Sequence, residues 1–230
     1  MNIATVQGNW VAPWKTMYNF GADYRMAPAL QTTTAIIGEG TTSIRTLLQT
    51  YSEEELRQRA RALTAQTAFA TAGFTHPLTR MWQLGANYSV SRISHTDGTN
   101  NVPGTPGTGY VHTLTGQVIG TGLFATRDVN VLSMSEVTSP DYRGFSGRLA
   151  SRAPLDEDWT LDASLFWYRQ SNENGSDLQR LSPNLRLGYR LGRSVTLEIE
   201  GGIESSENRS PIAEDKTRRT YFSLGYRWDF

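Results

Sequence analysis

Cysteine is absent from this 230-residue chain, which excludes a disulfide framework, a thiolate metal site and a thiol nucleophile. Lysine is almost absent too, because Lys15 and Lys216 are the only lysines among the 22 basic residues. Arginine therefore carries the positive charge, and its planar fork suits fixed ion-pair networks and phosphate contacts better than lysine does. The net charge is zero, so nothing in the composition points to nucleic acid as a partner. No stretch approaches the ~18 consecutive apolar residues of a membrane-spanning helix. The mean hydropathy of −0.45 is that of a water-soluble chain. The chain is nevertheless rich in aromatics, with six Trp and ten Tyr.

What it also has is alternation. From Phe222 to Phe230, the even positions Phe222, Leu224, Tyr226, Trp228 and Phe230 are all apolar or aromatic. Ser223, Gly225, Arg227 and Asp229 lie between them, and period two puts the two sets on opposite faces of a strand. A sheet in water rarely finishes on an unprotected aromatic edge. A closed barrel in lipid has no edge, wants an apolar outer face and collects aromatics at the membrane interface. Such a barrel keeps its average hydropathy low because every second residue faces a polar interior. Ser223, Gly225, Trp228 and the terminal Phe230 resemble the C-terminal assembly signal of Gram-negative outer-membrane β-barrels. That resemblance implies an outer-membrane location with a periplasmic C-terminus. It also implies contact with outer-membrane lipid and lipopolysaccharide, and handling by the barrel-assembly machinery through the last strand.

Read backward from that strand, the sequence predicts strands at 2–12, 15–26, 64–76, 80–93, 109–124, 127–138, 141–153, 158–170, 178–191, 194–206 and 217–230. Most exceed the ~9–11 residues a tilted strand needs to cross a bilayer. Two kinds of connection alternate between them. Short turns recur at Ala12–Lys15, at His76–Trp82, at Ala125–Asp128, at Ala153–Trp159 and at Leu191–Ser194, while Ser94–Gly109, Ser171–Asp177 and Ser205–Lys216 read as long polar loops. Outer-membrane barrels have short periplasmic turns and longer outer loops, so every short turn falls on the periplasmic side. Trp82, Trp159, Trp228 and Phe230 then share one interface, as an aromatic belt requires. The expected fold is an all-β, antiparallel up-and-down transmembrane barrel in one domain over 1–230, with about 11–12 strands visible out of a larger barrel.

Residues 28–63 depart from this pattern. Ser52-Glu53-Glu54-Glu55 is a capping box, followed by a helix-forming run from Leu56 to Leu63. Ile44, Leu47, Leu48 and Tyr51 give a second short helical pattern. The segment is read as a helical insertion that caps or plugs the barrel. Ala29–Ile37 could alternatively form a twelfth strand. Bacterial single-chain barrels usually have an even strand number, so eleven strands imply at least one more upstream and make this chain a C-terminal fragment. The opening residues Met1–Trp10 lack the basic start and apolar stretch of a signal peptide and already read as a strand.

Assigning each apolar set to lipid fixes the lumen. Arg148 and Arg152 (141–153), Asp162 (158–170), Arg186 and Arg190 (178–191), Glu198 and Glu200 (194–206) and Arg227 (217–230) project inward. The tight turn at Gly192 is expected to set Arg186 and Arg190 beside Glu198 and Glu200. Charges of both signs are mixed, which fits a wall stiffened by cross-strand pairs better than a field shaped for one ion. No catalytic site, cofactor or metal is expected. A serine nucleophile needs a base within reach, and there are only three histidines, His76, His95 and His112, without a thiolate or carboxylate set around them.

A broader likeness rests on Leu47–Glu54, on Phe74-Thr75-His76-Pro77-Leu78 and on Tyr221–Arg227. These stretches resemble the C-terminal barrel of tetratricopeptide-repeat outer-membrane proteins, and the likeness covers most of the chain. It implies work in envelope export or surface assembly, with periplasmic partners of unknown identity bound by a repeat region. No 34-residue helical period is present in this sequence. The expected function is a transport or export channel component for an unknown cargo. The alternative is a plugged structural anchor that displays loops or a periplasmic domain.

Overall fold

The computed structural model describes residues 2–26, 44–98, 104–192 and 194–228. Among the described residues the chain is all-β apart from two short helices, with eleven antiparallel strands in one sheet, each beside its neighbours in sequence. They are β1 (Asn2–Val11), β2 (Met17–Met26), β3 (Gln66–Pro77), β4 (Trp82–Ile93), β5 (Gly109–Thr121), β6 (Val129–Thr138), β7 (Tyr142–Pro154), β8 (Trp159–Asn172), β9 (Asp177–Leu191), β10 (Val195–Ser210) and β11 (Ala213–Trp228). The sheet order begins at β1 and ends at β11, so these two strands run in the same direction and are not paired with each other. The up-and-down strand plan matches the sequence reading. The alternative strand at Ala29–Ile37, together with Asp229 and Phe230, lies outside the described residues.

Two compact units partition the chain. One comprises Met1–Asn9, Asn19–Ala72 and Ser89–His112. The other comprises Trp10–Tyr18, Gly73–Tyr88 and Thr113–Phe230, and so contains β6 to β11 entire. In the first unit, α1 (Ile44–Leu47) buries Leu47, and α2 (Glu53–Ala62) starts at the capping box. The Ser52 hydroxyl accepts from the Glu55 N–H at 3.3 Å, and the Glu55 carboxylate accepts from the Ser52 N–H at 2.8 Å. The Ser52 N–H and the Ser52 hydroxyl, which donates to the same carboxylate oxygen at 2.9 Å, hold the Glu55 carboxyl below its usual range. α2 buries none of its side chains, so its cap and its Glu53–Arg57 pair support it more than packing does.

Two connections differ from the sequence reading. Ser205–Lys216 is not a long loop: β10 continues to Ser210, β11 begins at Ala213, and only Pro211 and Ile212 join them. Opposite charges hold this extension in register, with Glu207 across from Lys216 and Arg209 across from Glu214. The β8–β9 connection is likewise tight, running only from Glu173 to Ser176 with Gly175 at φ +79°.

The β5–β6 turn is organised by Asp128, which is fully buried. Its carboxylate accepts from the backbone N–H groups of Leu123 (2.8 Å), Phe124 (2.7 Å) and Ala125 (3.2 Å). Burial by itself would push this carboxyl up. The Phe124 and Leu123 N–H groups, the nearby Asn130 amide and the Ala125 N–H outweigh it and hold the carboxyl at about 2. The Asn130 amide nitrogen lies outside hydrogen-bonding geometry, so it acts on the carboxylate as a nearby dipole. Gly122 (φ +67°) and Arg127 (φ +69°) supply the left-handed backbone the turn needs.

Candidate functional site

Residues directly opposite in an antiparallel pair present their side chains on the same face. Across β8, β9, β10 and β11 the register therefore builds whole rows. Leu161, Leu187, Ile199 and Leu224 form one row, and Trp159, Tyr189, Leu197 and Tyr226 form the next. The Trp159 and Tyr189 rings lie 4.6 Å apart between centroids. All of these side chains except Leu161, together with Gly225, line a shallow apolar groove of about 340 Å³. They are not a core: Leu224 is 73 % exposed and Tyr226 is 76 % exposed. Among the described residues only Ala12, Met26 and Leu47 are buried hydrophobics.

The opposite face of the same strands is charged. One row runs Arg152, Asp162, Arg186, Glu200, Ser223 from β7 to β11. Arg186 is its hub. Its Nε and Nη2 both donate to Asp162 Oδ2, at 3.1 and 2.7 Å, while Nη1 lies 3.7 Å from Glu198. Arg152 approaches Asp162 from the other side at 3.7 Å. Glu198 is opposite Gly188 on β9 and Gly225 on β11, so neither neighbour crowds it and Arg186 reaches it diagonally.

Two of the expected pairings are different in detail. Glu200 faces Arg186 in register, yet it accepts from the Asn184 amide at 2.7 Å, because the guanidinium turns to Asp162. Arg190 does not meet Glu198 or Glu200. It lies 3.7 Å from Asp158 and donates to the Glu157 carbonyl at 2.5 Å, since the β8–β9 register places it at the β7–β8 turn. The network also takes in residues to which the sequence assigned no role. The Asn184 amide donates to the Tyr221 hydroxyl at 2.6 Å. Tyr221 lies over Gly202, where a Cβ would come within 2.7 Å of the ring, so the absence of a side chain at 202 gives the ring its place.

The charges line two recesses. Arg148, Arg152, Asp162, Asn184, Arg186 and Glu200 surround one of about 470 Å³. Arg190, Glu198 and Arg227, together with Arg152, Asp162 and Arg186, line a second of about 210 Å³. All eight charged residues singled out from sequence thus lie at these recesses. Ser223 and Gly225 sit on β11 on this same face, Trp228 ends that strand on the apolar one, and Phe230 lies outside the described residues.

The arrangement can bind and orient charge, but it presents no activated nucleophile. Thr16 Oγ1 lies 2.7 Å from His76 Nδ1, at the end of β3 rather than in the following turn. Thr16 is buried, so this contact ties the β1–β2 turn to β3 instead of opening a hydroxyl to substrate. Among the described residues no group of three or more His, Asp or Glu side chains is arranged for a metal ion. No helix among them is long and apolar enough to cross a membrane. No protein-family model matches the sequence, and no curated protein matches it.

Proposed function

We propose that this chain is an outer-membrane β-barrel wall, periplasmic at its C-terminus, that serves as a component of a transport or export channel. The observation that carries this reading is the register-matched division of β8–β11 into an exposed apolar face and a hydrogen-bonded charged face. Lipid against the first face and water against the second would satisfy both, which is the arrangement of a membrane barrel. The outer-membrane placement, with lipid, lipopolysaccharide and assembly-machinery contacts, rests on the resemblance of the final strand. The lack of an accessible nucleophile–base pair in the described site favours a conduit over an enzyme.

A plugged anchor is the second reading, favoured by the mutual neutralisation of Arg152, Asp162, Arg186 and Glu198, which leaves little net field to attract a permeant ion. Conductance across a planar bilayer separates the two. Stepwise conductance that rises when residues 40–63 are deleted supports a channel partly blocked by the helical insertion. Silence from both the full chain and the deletion variant would contradict the channel and leave the anchor.

A further inference from the structure

Three hairpin turns at one end of the sheet share a feature that the charged face does not require. The β1–β2, β3–β4 and β5–β6 turns each set an exposed apolar side chain beside an exposed cation: Trp14 with Lys15, Leu78 with Arg80, and Phe124 with Arg127. Phe124, at the tip of its turn, is 85 % exposed. Among the described residues none of these three cations has a carboxylate within 4.0 Å, although most arginines of β7–β10 with nearby acids are paired.

The turns are also stiff. Asp128 caps the third through three backbone N–H groups, and Thr79 Oγ1 accepts from the Met81 and Trp82 N–H groups at 3.1 Å in the second. Buried Thr16 ties the first to His76, and the Thr121 N–H donates to the Met81 carbonyl at 2.9 Å, linking the second to the third. Successive turns are two strands apart, roughly 10 Å. Their apolar tips and cations are therefore held in a row before any partner arrives, which lowers the ordering cost of binding. The β7–β8 turn breaks the pattern, with exposed Leu155 beside Asp156, Glu157 and Asp158.

We propose that this row, from Trp14 to Arg127, is a binding surface for anionic phospholipid. Acyl chains pack on Trp14, Leu78 and Phe124, and headgroup phosphates meet Lys15, Arg80 and Arg127. The inference rests on the membrane reading above and adds to it a lipid class and a location. Charge complementarity selects the partner, because three unpaired cations beside apolar tips match a ligand that carries both an anion and a hydrocarbon chain. An acidic protein would satisfy the cations but not the apolar tips.

The test uses the full chain refolded into phosphatidylcholine vesicles containing increasing phosphatidylglycerol. Flotation reports membrane association, and native mass spectrometry of the ejected protein counts retained lipids. The expected result is flotation in both lipids with selective retention of phosphatidylglycerol, each cation contributing roughly fivefold to the preference. K15Q/R80Q/R127Q should float equally and lose the selectivity, K15R/R80K/R127K should keep it, and W14S/F124S should retain less of both lipids. Equal retention of the two lipids by a floating protein, or unchanged selectivity in the glutamine variant, would overturn the proposal. A chain that fails to float would instead overturn the membrane reading itself, and this inference with it.

Discussion

On β8 to β11, one side of the sheet holds Asp162, Arg186, Glu198, Glu200 and Arg227, and the other holds Leu161, Leu187, Leu197, Ile199 and Leu224. The first side satisfies its own groups: Arg186 bonds Asp162, Asn184 bonds Glu200, and Arg190 bonds the β7–β8 turn. The second side satisfies nothing internally, because Leu197, Ile199 and Leu224 stand exposed, Leu161 and Leu187 are only half-buried, and no second layer covers them among the described residues. In a water-soluble protein the apolar side would be packed against another element. On the proposed reading, this sheet takes its apolar counterpart from the surroundings, and its polar side needs only water and its own ion pairs.

The sharpest way to break that contrast is to put a charge on the wrong face. Leu224→Arg places a guanidinium in the apolar row, and at mid-membrane it should cost about 2–4 kcal/mol. Ser223→Arg, one residue away on the charged face, should cost less than about 1 kcal/mol. Reversible urea unfolding in lipid vesicles measures both, and equal costs would end the two-face account.

A smaller effect is expected within the charged face. Arg186→Ala leaves Asp162 and Glu198 without their shared cation, but these side chains are partly exposed and solvent screens the pair. The expected loss is about 1 kcal/mol at low salt, shrinking toward zero at high salt. A loss unchanged by salt would mean that Arg186 acts through packing instead.

The smallest effect is local to the β5–β6 turn and follows pH. The Asp128 carboxyl is held at about 2, below its ordinary 3.8, so its stabilisation is fully present above the ordinary value and is lost as pH falls through the depressed one. Amide exchange at Leu123, Phe124 and Ala125, corrected for intrinsic rates, should stay protected down to about pH 4 and open between there and about pH 2. In Asp128→Ala these amides should exchange readily at every pH. Protection in that variant equal to the unaltered protein would remove Asp128 from its role in stiffening the turn.

Much of this was legible in the sequence, for reasons that also explain the gaps. Alternation in 178–191 and 194–206 locates β9 and β10 because one of their faces carries no polar side chain from Leu181 to Leu191 and from Val195 to Ile203. The same signal fails at Ser205–Lys216, where both faces are polar and hydrophobic period two has nothing to report. The signal there was charge complementarity about Pro211 and Ile212, with Glu207 matched to Lys216 and Arg209 to Glu214. At the candidate site, the face of each charge follows from parity, but its partner does not. Whether Arg186 turns to Asp162 or to Glu200 depends on side-chain reach across neighbouring glycines, which a one-strand pattern does not encode. The alternation pattern marks Asp128 only as the end of a tight turn, although an Asp closing a segment that opens with glycine is a candidate acceptor for the turn's own N–H groups.

The central claim is that the apolar face touches lipid, and the absence of cysteine makes it directly measurable. Single cysteines introduced from 196 to 200 and from 222 to 226, each carrying a fluorophore, can be read in vesicles of lipid brominated in the acyl chain. The account predicts strong quenching at 197, 199, 222, 224 and 226 and weak quenching at 196, 198, 200, 223 and 225, a period of two in register across both strands. Uniform quenching, or quenching confined to the even positions of β10, would contradict it.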